Sequence, residues 1–336
     1  MLPLASLMAF GYVPSQPPLQ PKVTRTVTVR EAEEDLNFPF VFRGPGGFLS
    51  LSCSIGQHTV TERGLQLVSE DDGETWAPPE GPLIGGMGLL LRDGRAVQLS
   101  CWGAEPNAEG AYPVSTAYFA DGGRTAAETV PGLVTLPFRM KPNFHRSLVE
   151  MPDGSLLATV YGTQEGHRKY TSALIRTDDG GRNWRFLSVI AQSEDVGDEG
   201  FCEPVVARLA NGELLCAMRV GGPLYVCRSA DDGRTWSQPE AVADHGVCPD
   251  LLLMANGVLA LSFGRPNVDL LLSPDGTGRE WLGPISLYRG MGCSYTSLRE
   301  AQNGELMAFF SQSGFCGTPG PGPLNMIRLA RLSVRP

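Results

Sequence analysis

Residues 69–76 read SEDDGETW and residues 229–236 read SADDGRTW, two copies of one octet, Ser-x-Asp-x-Gly-x-Thr-Trp. An aspartate in a tight turn accepts backbone N–H bonds, the glycine permits the unusual dihedral, and the tryptophan packs between strands. The octet therefore reads as a structural hairpin rather than as a catalytic motif. A third copy, TDDGGRNW at 177–184, keeps Asp179, Gly181 and Trp184, and a fourth, SPDGTGREW at 273–281, carries one inserted residue. A worn fifth, FADGGRTA at 119–126, keeps Asp121, Gly123 and Thr125 but lacks the tryptophan. The aspartates at 71, 121, 179, 231 and 275 are spaced 50, 58, 52 and 44 residues apart, the period of a repeat architecture.

A second series runs in phase with the first. Turn dipeptides stand at Gly46-Gly47, Asp93-Gly94, Asp153-Gly154, Asn211-Gly212, Asn256-Gly257 and Asn303-Gly304, each between apolar strand-like runs. Such pairs supply the positive φ of a tight hairpin. Six hairpins, all but the last followed by an octet, predict an all-β fold: a six-bladed β-propeller of four-stranded antiparallel blades. The sixth unit runs out of chain after residues 325–334. The alternating β-branched segment KVTRTVTVR at 22–30 is then expected to supply its outer strand, closing the ring and removing an exposed sheet edge. Residues 1–21 read as an N-terminal arm and 22–336 as a single propeller domain.

Composition agrees with turn-rich β structure: the 336 residues include 41 glycines and 27 prolines. Apolar residues make up 42% of the chain, yet no uninterrupted run reaches the ~18 residues of a membrane span. A net charge of −9 argues against nucleic acid as a partner, because phosphate contacts need a concentrated basic face. The first 18 residues are apolar up to Val13 but lack an early basic residue and a small-residue cleavage site, so no signal peptide is read and a cytoplasmic location is favoured over secretion. Eight cysteines without CxxC spacing describe neither a disulfide scaffold nor a zinc site, and no cofactor or metal is expected. Cys216 and Cys227 flank Gly221-Gly222 symmetrically and should face each other as reduced thiols, with a bridge as the alternative.

If each inner strand runs from an upper face to a lower one, the strand starts and the loops after the second strands share the upper face. Counting back eight positions from the turn residues brings His145, Glu203, Cys248 and Tyr295 to equivalent places, with Gly85 in the second unit and Asn37 or Phe38 in the first. A carboxylate, a phenol and an imidazole on one cavity form a plausible acid–base set. Arg219 and Arg265 end second strands in neighbouring units, where two guanidiniums can grip a carboxylate, or else pair with Glu203 and Asp269. Arg146 belongs to a basic patch with Lys141, His167, Arg168 and Lys169, while Trp102 and Tyr161 are placed to stack on a sugar ring.

The octets resemble Asp-boxes, the bacterial neuraminidase repeats of the six-bladed sialidase superfamily. The segment EPVVARLANGELLCAMR at 203–219 is similar to the Glu-to-second-Arg stretch of sialidases, Arg265 to the third arginine, and CSYTSL at 293–298 to the surround of the tyrosine nucleophile. The resemblance implies an exo-acting glycosidase that removes a terminal acidic sugar from a glycan. In it Tyr295 is the nucleophile, Glu203 its activator, Arg219 and Arg265 hold the substrate carboxylate, and His145 or Asp250 supplies the proton. The first half departs from the pattern: Asn37-Phe38-Pro39 stands where the family has Arg-Ile-Pro, and Gln57-His58 where an acidic loop residue is expected. Asn37 and His58 thus become substitute substrate contacts. A uronate lyase and a glycan-binding propeller without catalysis remain the alternatives.

Overall fold

The computed structural model describes residues 19–57, 63–100, 105–138, 142–314, 320, 322 and 324–335. His58, Trp102 and Lys141 lie outside these residues, as does the N-terminal arm up to residue 18. Among the described residues regular structure is β throughout, apart from two short 3-10 turns. The sheets are antiparallel meanders whose innermost strands, Leu36–Arg43, Asn143–Glu150, Cys202–Arg208, Val247–Leu253 and Thr296–Glu300, contact one another around an axis.

The octets build the hairpins expected of them. At 229–236 the Ser229 hydroxyl accepts the Gly233 N–H at 2.8 Å, Asp231 accepts the Thr235 N–H at 2.9 Å and its hydroxyl at 2.7 Å, and Trp236 reaches Ser188 of the preceding unit at 3.1 Å. The copy at 69–76 repeats the set through Ser69, Asp71, Gly73 and Thr75. The backbone and side-chain donors of Thr235 hold the Asp231 carboxyl at a pKa of about 2.

Ring closure also occurs as expected. Strand Lys22–Ala32 pairs antiparallel with Asn325–Ser333, forming one four-stranded sheet with Leu306–Gln312 and Thr296–Glu300. Leu19 packs on the same unit, and Gln20 N–H donates to Arg335 O. An arginine locks the seam: Arg331, on the last strand, bonds Asp72, Glu74 and Glu305.

The expected six separate four-stranded blades are realised differently. Among the described residues there are three four-stranded sheets, one three-stranded sheet and one eight-stranded sheet. In the first unit the chain after the octet runs Ala77-Pro78-Pro79, and its pairing reduces to a single bridge, Val68 to Ala77, because proline has no N–H to give a ladder. The eight-stranded sheet is two four-stranded meanders joined where Leu133–Thr135 runs parallel to Asn183–Arg185. Gly132 permits the join: a Cβ there would fall 2.2 Å from Gly181 O.

The core is distributed between units. Six apolar clusters each combine residues of consecutive units, the last joining the sixth unit to the first through Phe309, Leu329, Leu49 and Leu51. Each fully buried Leu or Phe in these seams contributes about 1.5–3 kcal/mol. A seventh cluster sits on the axis, made of Val247, Cys248, Cys293 and Tyr295 with Phe38 and Phe40 against it.

Candidate active site

Near the start of four inner strands stands a residue in the left-handed region: Phe38 (φ 56°), Glu203 (φ 47°), Cys248 (φ 46°) and Ser294 (φ 53°), with Ser294 two positions before its strand. The ladder breaks beside three of them, between Asn37 and Phe40, Cys202 and Val205, and Val247 and Asp250. These are β-bulges, which re-aim side chains. Three of the bulged residues precede proline, at Phe38-Pro39, Glu203-Pro204 and Cys248-Pro249, and proline inside a sheet is confined to edges, strand starts and bulges. Positive φ at non-glycine residues costs roughly 1–3 kcal/mol each and collects at functional sites.

Two of the bulges, at Phe38 and Glu203, face a cavity of about 600 Å³ lined by Phe38, Phe40, Met87, Phe144, His145, Tyr161, Glu203 and Tyr295, with Ser52, Cys53, Ser54 and Asn143. At its wall the Tyr295 hydroxyl donates to Glu203 Oε1 at 2.6 Å. Arg219 Nη1 donates to the same oxygen at 2.9 Å, and the Cys248 N–H donates to Oε2 at 2.7 Å. Glu203 is only 5% exposed. Burial pushes its pKa up, but the Arg219 charge, His145, the tyrosine hydroxyl and the Cys248 N–H outweigh it, holding the carboxyl below its ordinary value. The pair is thus carboxylate and neutral phenol, for burial and then the Glu203 charge push Tyr295 far above its usual range.

His145 lines the same cavity. Its Nδ1 lies 3.1 Å from Pro204 O, which fixes the proton there and leaves Nε2 as the acceptor nitrogen, 3.9 Å from Cys248 Sγ. Burial, then the Arg146 charge, lower its pKa from 6.5 to about 4, so the ring is neutral at pH 7. Tyr161 stands edge-on to His145 and to Tyr170, completing an aromatic wall. Gly86 lets the segment before the second unit's strands cross the first inner strand closely: a Cβ would lie 1.8 Å from Phe40 O.

The site therefore unites Glu203, Tyr295, His145 and Tyr161 as the sequence suggested, and corrects other assignments. Asp250 follows its bulge and turns to the opposite end of the axis, where it accepts from Leu298 N–H at 2.7 Å and pairs with Arg146 at 3.1 Å. It does not line the cavity of Tyr295. Arg146 is drawn to the same place, and its guanidinium covers the Phe40 ring at 4.6 Å. Asn37 is buried and donates to Gly56 O, because the bulge turns Phe38 inward instead. Arg219 takes the alternative weighed for it, bridging Glu203 and Glu199 at 2.9 and 2.6 Å. Arg265 donates to Gly292 O and Cys293 O, 5.6 Å from the centroid of the Tyr295 ring. In the basic patch, Glu194 pairs with both His167 and Arg168, and Lys169 donates to Gly197 O. Cys216 and Cys227 are register partners and carry free thiols. Among the described residues no cluster of His, Cys, Asp and Glu is arranged to hold a metal ion.

Sequence reasoning offered Phe38 beside Asn37 at the first unit's inward position, but missed Phe40, Phe144 and Met87 as wall residues and Glu199 as the second partner of Arg219. The Xaa-Pro steps were the available signal for the bulges.

The family model of the BNR repeat-like domain matches residues 120–308. No curated protein matches the chain in sequence. Solved structures match it in fold. A Dyadobacter fermentans protein of unknown function is 18% identical, with a TM-score of 0.72 over 94% of this chain and 99% of its own. An α-L-arabinanase of Penicillium chrysogenum, complexed with arabinobiose, is 15% identical, with a TM-score of 0.66 over 93% of this chain and 98% of its own. The NanB sialidase of Streptococcus pneumoniae is 9% identical, with a TM-score of 0.60 over 90% of this chain and 69% of its own. With the repeats, the all-β propeller-like fold and a match over more than half its length, the chain belongs to the BNR repeat-like family of the sialidase-like propeller superfamily.

Proposed function

We propose that the protein is a retaining glycosidase in which Tyr295 attacks the anomeric carbon while Glu203 takes its proton. The observation that carries this reading is the 2.6 Å hydrogen bond between the phenol and a buried carboxylate at the wall of a cavity large enough for a sugar. A phenol so hard to ionise cannot wait as phenolate, so its proton must leave as the bond to carbon forms, and Glu203 already accepts it. Arg219 and the Cys248 N–H keep Glu203 oriented. His145, which lines the cavity and is neutral at pH 7, is the group assigned to protonate the leaving oxygen once acid pH places a second proton on its ring. We read residues 22–336 as one domain, the two halves of the eight-stranded sheet as two fused blades, and the octets as Asp-boxes.

The wall favours an uncharged sugar. Among the described residues lining the cavity there is no Lys or Arg, and the aromatic rings offer stacking faces. The arabinobiose complex of a similar fold supports the same reading. An acidic terminal sugar is the second reading, favoured by one observation: Glu199 is partly exposed, so a substrate carboxylate can replace it on Arg219 beside Arg265. A panel of fluorogenic arabinosides, other neutral glycosides, uronides and sialosides tests both. The expected result is turnover of a neutral glycoside with retention of configuration, lost by more than about 1,000-fold in Tyr295→Phe. Glu199→Gln separates the readings, because it frees Arg219 and should raise kcat/KM on an acidic sugar if that is the substrate. No released sugar from any member, or inversion at the anomeric centre, would overturn the mechanism. An unsaturated uronate product would point to the lyase.

A further inference from the structure

At the opposite end of the axis a second cavity, of about 270 Å³, is lined by Arg43, Arg146 and Arg299 around Asp250, with a collar of Leu89, Leu90, Leu148, Leu251, Leu252, Val205 and Val206. It opens toward a wider mouth of about 710 Å³ at the lower turns, which Leu90, Leu252 and Arg299 also line. The catalytic proposal uses none of this.

Its charges do not cancel. Arg43 is matched by Asp72. Arg146 and Arg299 share one carboxylate, Asp250, at 3.1 and 3.4 Å. The Arg146 side chain is 4% exposed, its Nη1 and Nη2 donate to Thr296 O and Cys248 Sγ, and its Nε is buried with no hydrogen-bond partner. Among the described residues Arg299 donates through Nη1 alone, to Asp250 and to its neighbour Leu298 O. Burial pulls the Arg299 guanidinium below its usual pKa despite Asp250. A buried guanidinium without a full counter-charge is costly, and the unused edge of the Arg299 fork matches a carboxylate. The collar is aliphatic, so a strongly hydrated inorganic anion would lose its water without replacement.

We infer that this cavity is a binding site for a small organic monocarboxylate, its carboxylate on Arg299 beside the buried Arg146 charge and its aliphatic body against the leucine and valine collar. The mouth between the lower turns is its route of entry.

The test is calorimetric titration of the full chain with hexanoate, butanoate, acetate and inorganic phosphate. Hexanoate should bind saturably at one site, and each methylene buried should add about fourfold in affinity along the series. Arg299→Gln should weaken hexanoate at least about tenfold, as expected for loss of a charge-assisted bond. Leu90 is 37% exposed, so Leu90→Glu can place a negative charge at the rim without disturbing the core or either arginine, and should weaken hexanoate similarly. Thermal melts confirm that each variant is folded. Absence of saturable binding, equal affinity of the variants, or phosphate binding as tightly as hexanoate would each overturn the site. Glycosidase activity is not part of the readout, so a negative result here leaves the catalytic proposal standing.

Discussion

At the scale of single residues, the chemistry rests on opposite shifts in two touching groups. Glu203 is kept ionised and Tyr295 protonated, so the hydrogen bond between them has one direction, from phenol to carboxylate. Both residues were legible in the sequence, because equal counting from the Asn-Gly turns set them near the same depth. Asp250 was misplaced for a physical reason: period-two alternation carried it from Cys248 to the same face, and the bulge between Val247 and Asp250 breaks that alternation. Asn37 fails by the same mechanism, with Phe38 taking the inward place. His145 gives a prediction at this scale. Its folded pKa of about 4 lies below the ordinary 6.5, so the folded state resists protonation and the His145 contribution to stability, complete above 6.5, is lost as pH falls toward 4. The protonated ring that donates to the leaving group grows over the same interval. Turnover of glycosides with poor leaving groups should therefore rise between pH 6.5 and about 4 while the melting temperature falls, and His145→Gln should flatten both curves. A rate limb unchanged in His145→Gln would remove the imidazole from the mechanism.

At the scale of elements, the octets and the closing strand carry the fold. The seam between the last unit and the first is held by the long alternating strand Lys22–Ala32, the apolar cluster beneath it and the Arg331 cluster. The arginine is 7% exposed and faces Asp72, Glu74 and Glu305. Arg331→Ala leaves the Glu305 carboxylate without its cation and leaves Asp72 and Glu74 only Arg43 and Arg25. The variant should lose about 2–4 kcal/mol, somewhat below a fully buried pair because Glu74 remains partly exposed, as measured by urea unfolding. A loss under about 0.5 kcal/mol, the level of an ordinary surface substitution, would show that the cluster does not hold the seam. The closing strand was readable from its β-branched alternation. The fusion of two meanders was not, since it depends on the close approach at Gly132, which leaves no periodic trace. The shortened first unit had its signal in Pro78-Pro79.

At the scale of the molecule, repeat packing brings residues far apart in sequence to one axis. His145, Glu203 and Tyr295 come from three different units and meet at one cavity, while Arg146, Asp250 and Arg299 from three units meet at the other end. Adjacent residues on one strand, His145 and Arg146, thereby line different cavities. The repeat period announced this convergence, but not the sign of charge at either end, because the pairing of Arg219 with Glu199 depends on the loop that leads into the fourth unit and that of Arg146 with Asp250 on side-chain reach across units. The central claim is that the phenol at the upper end becomes covalently bonded to sugar. It is tested most directly by incubating the protein with an activated 2-fluoro glycoside of the best substrate from the panel and mapping the label by peptide mass spectrometry. The account predicts one glycosyl group on the peptide containing Tyr295, and none in Tyr295→Phe. A label on Glu203, or turnover that persists in Tyr295→Phe, would contradict it.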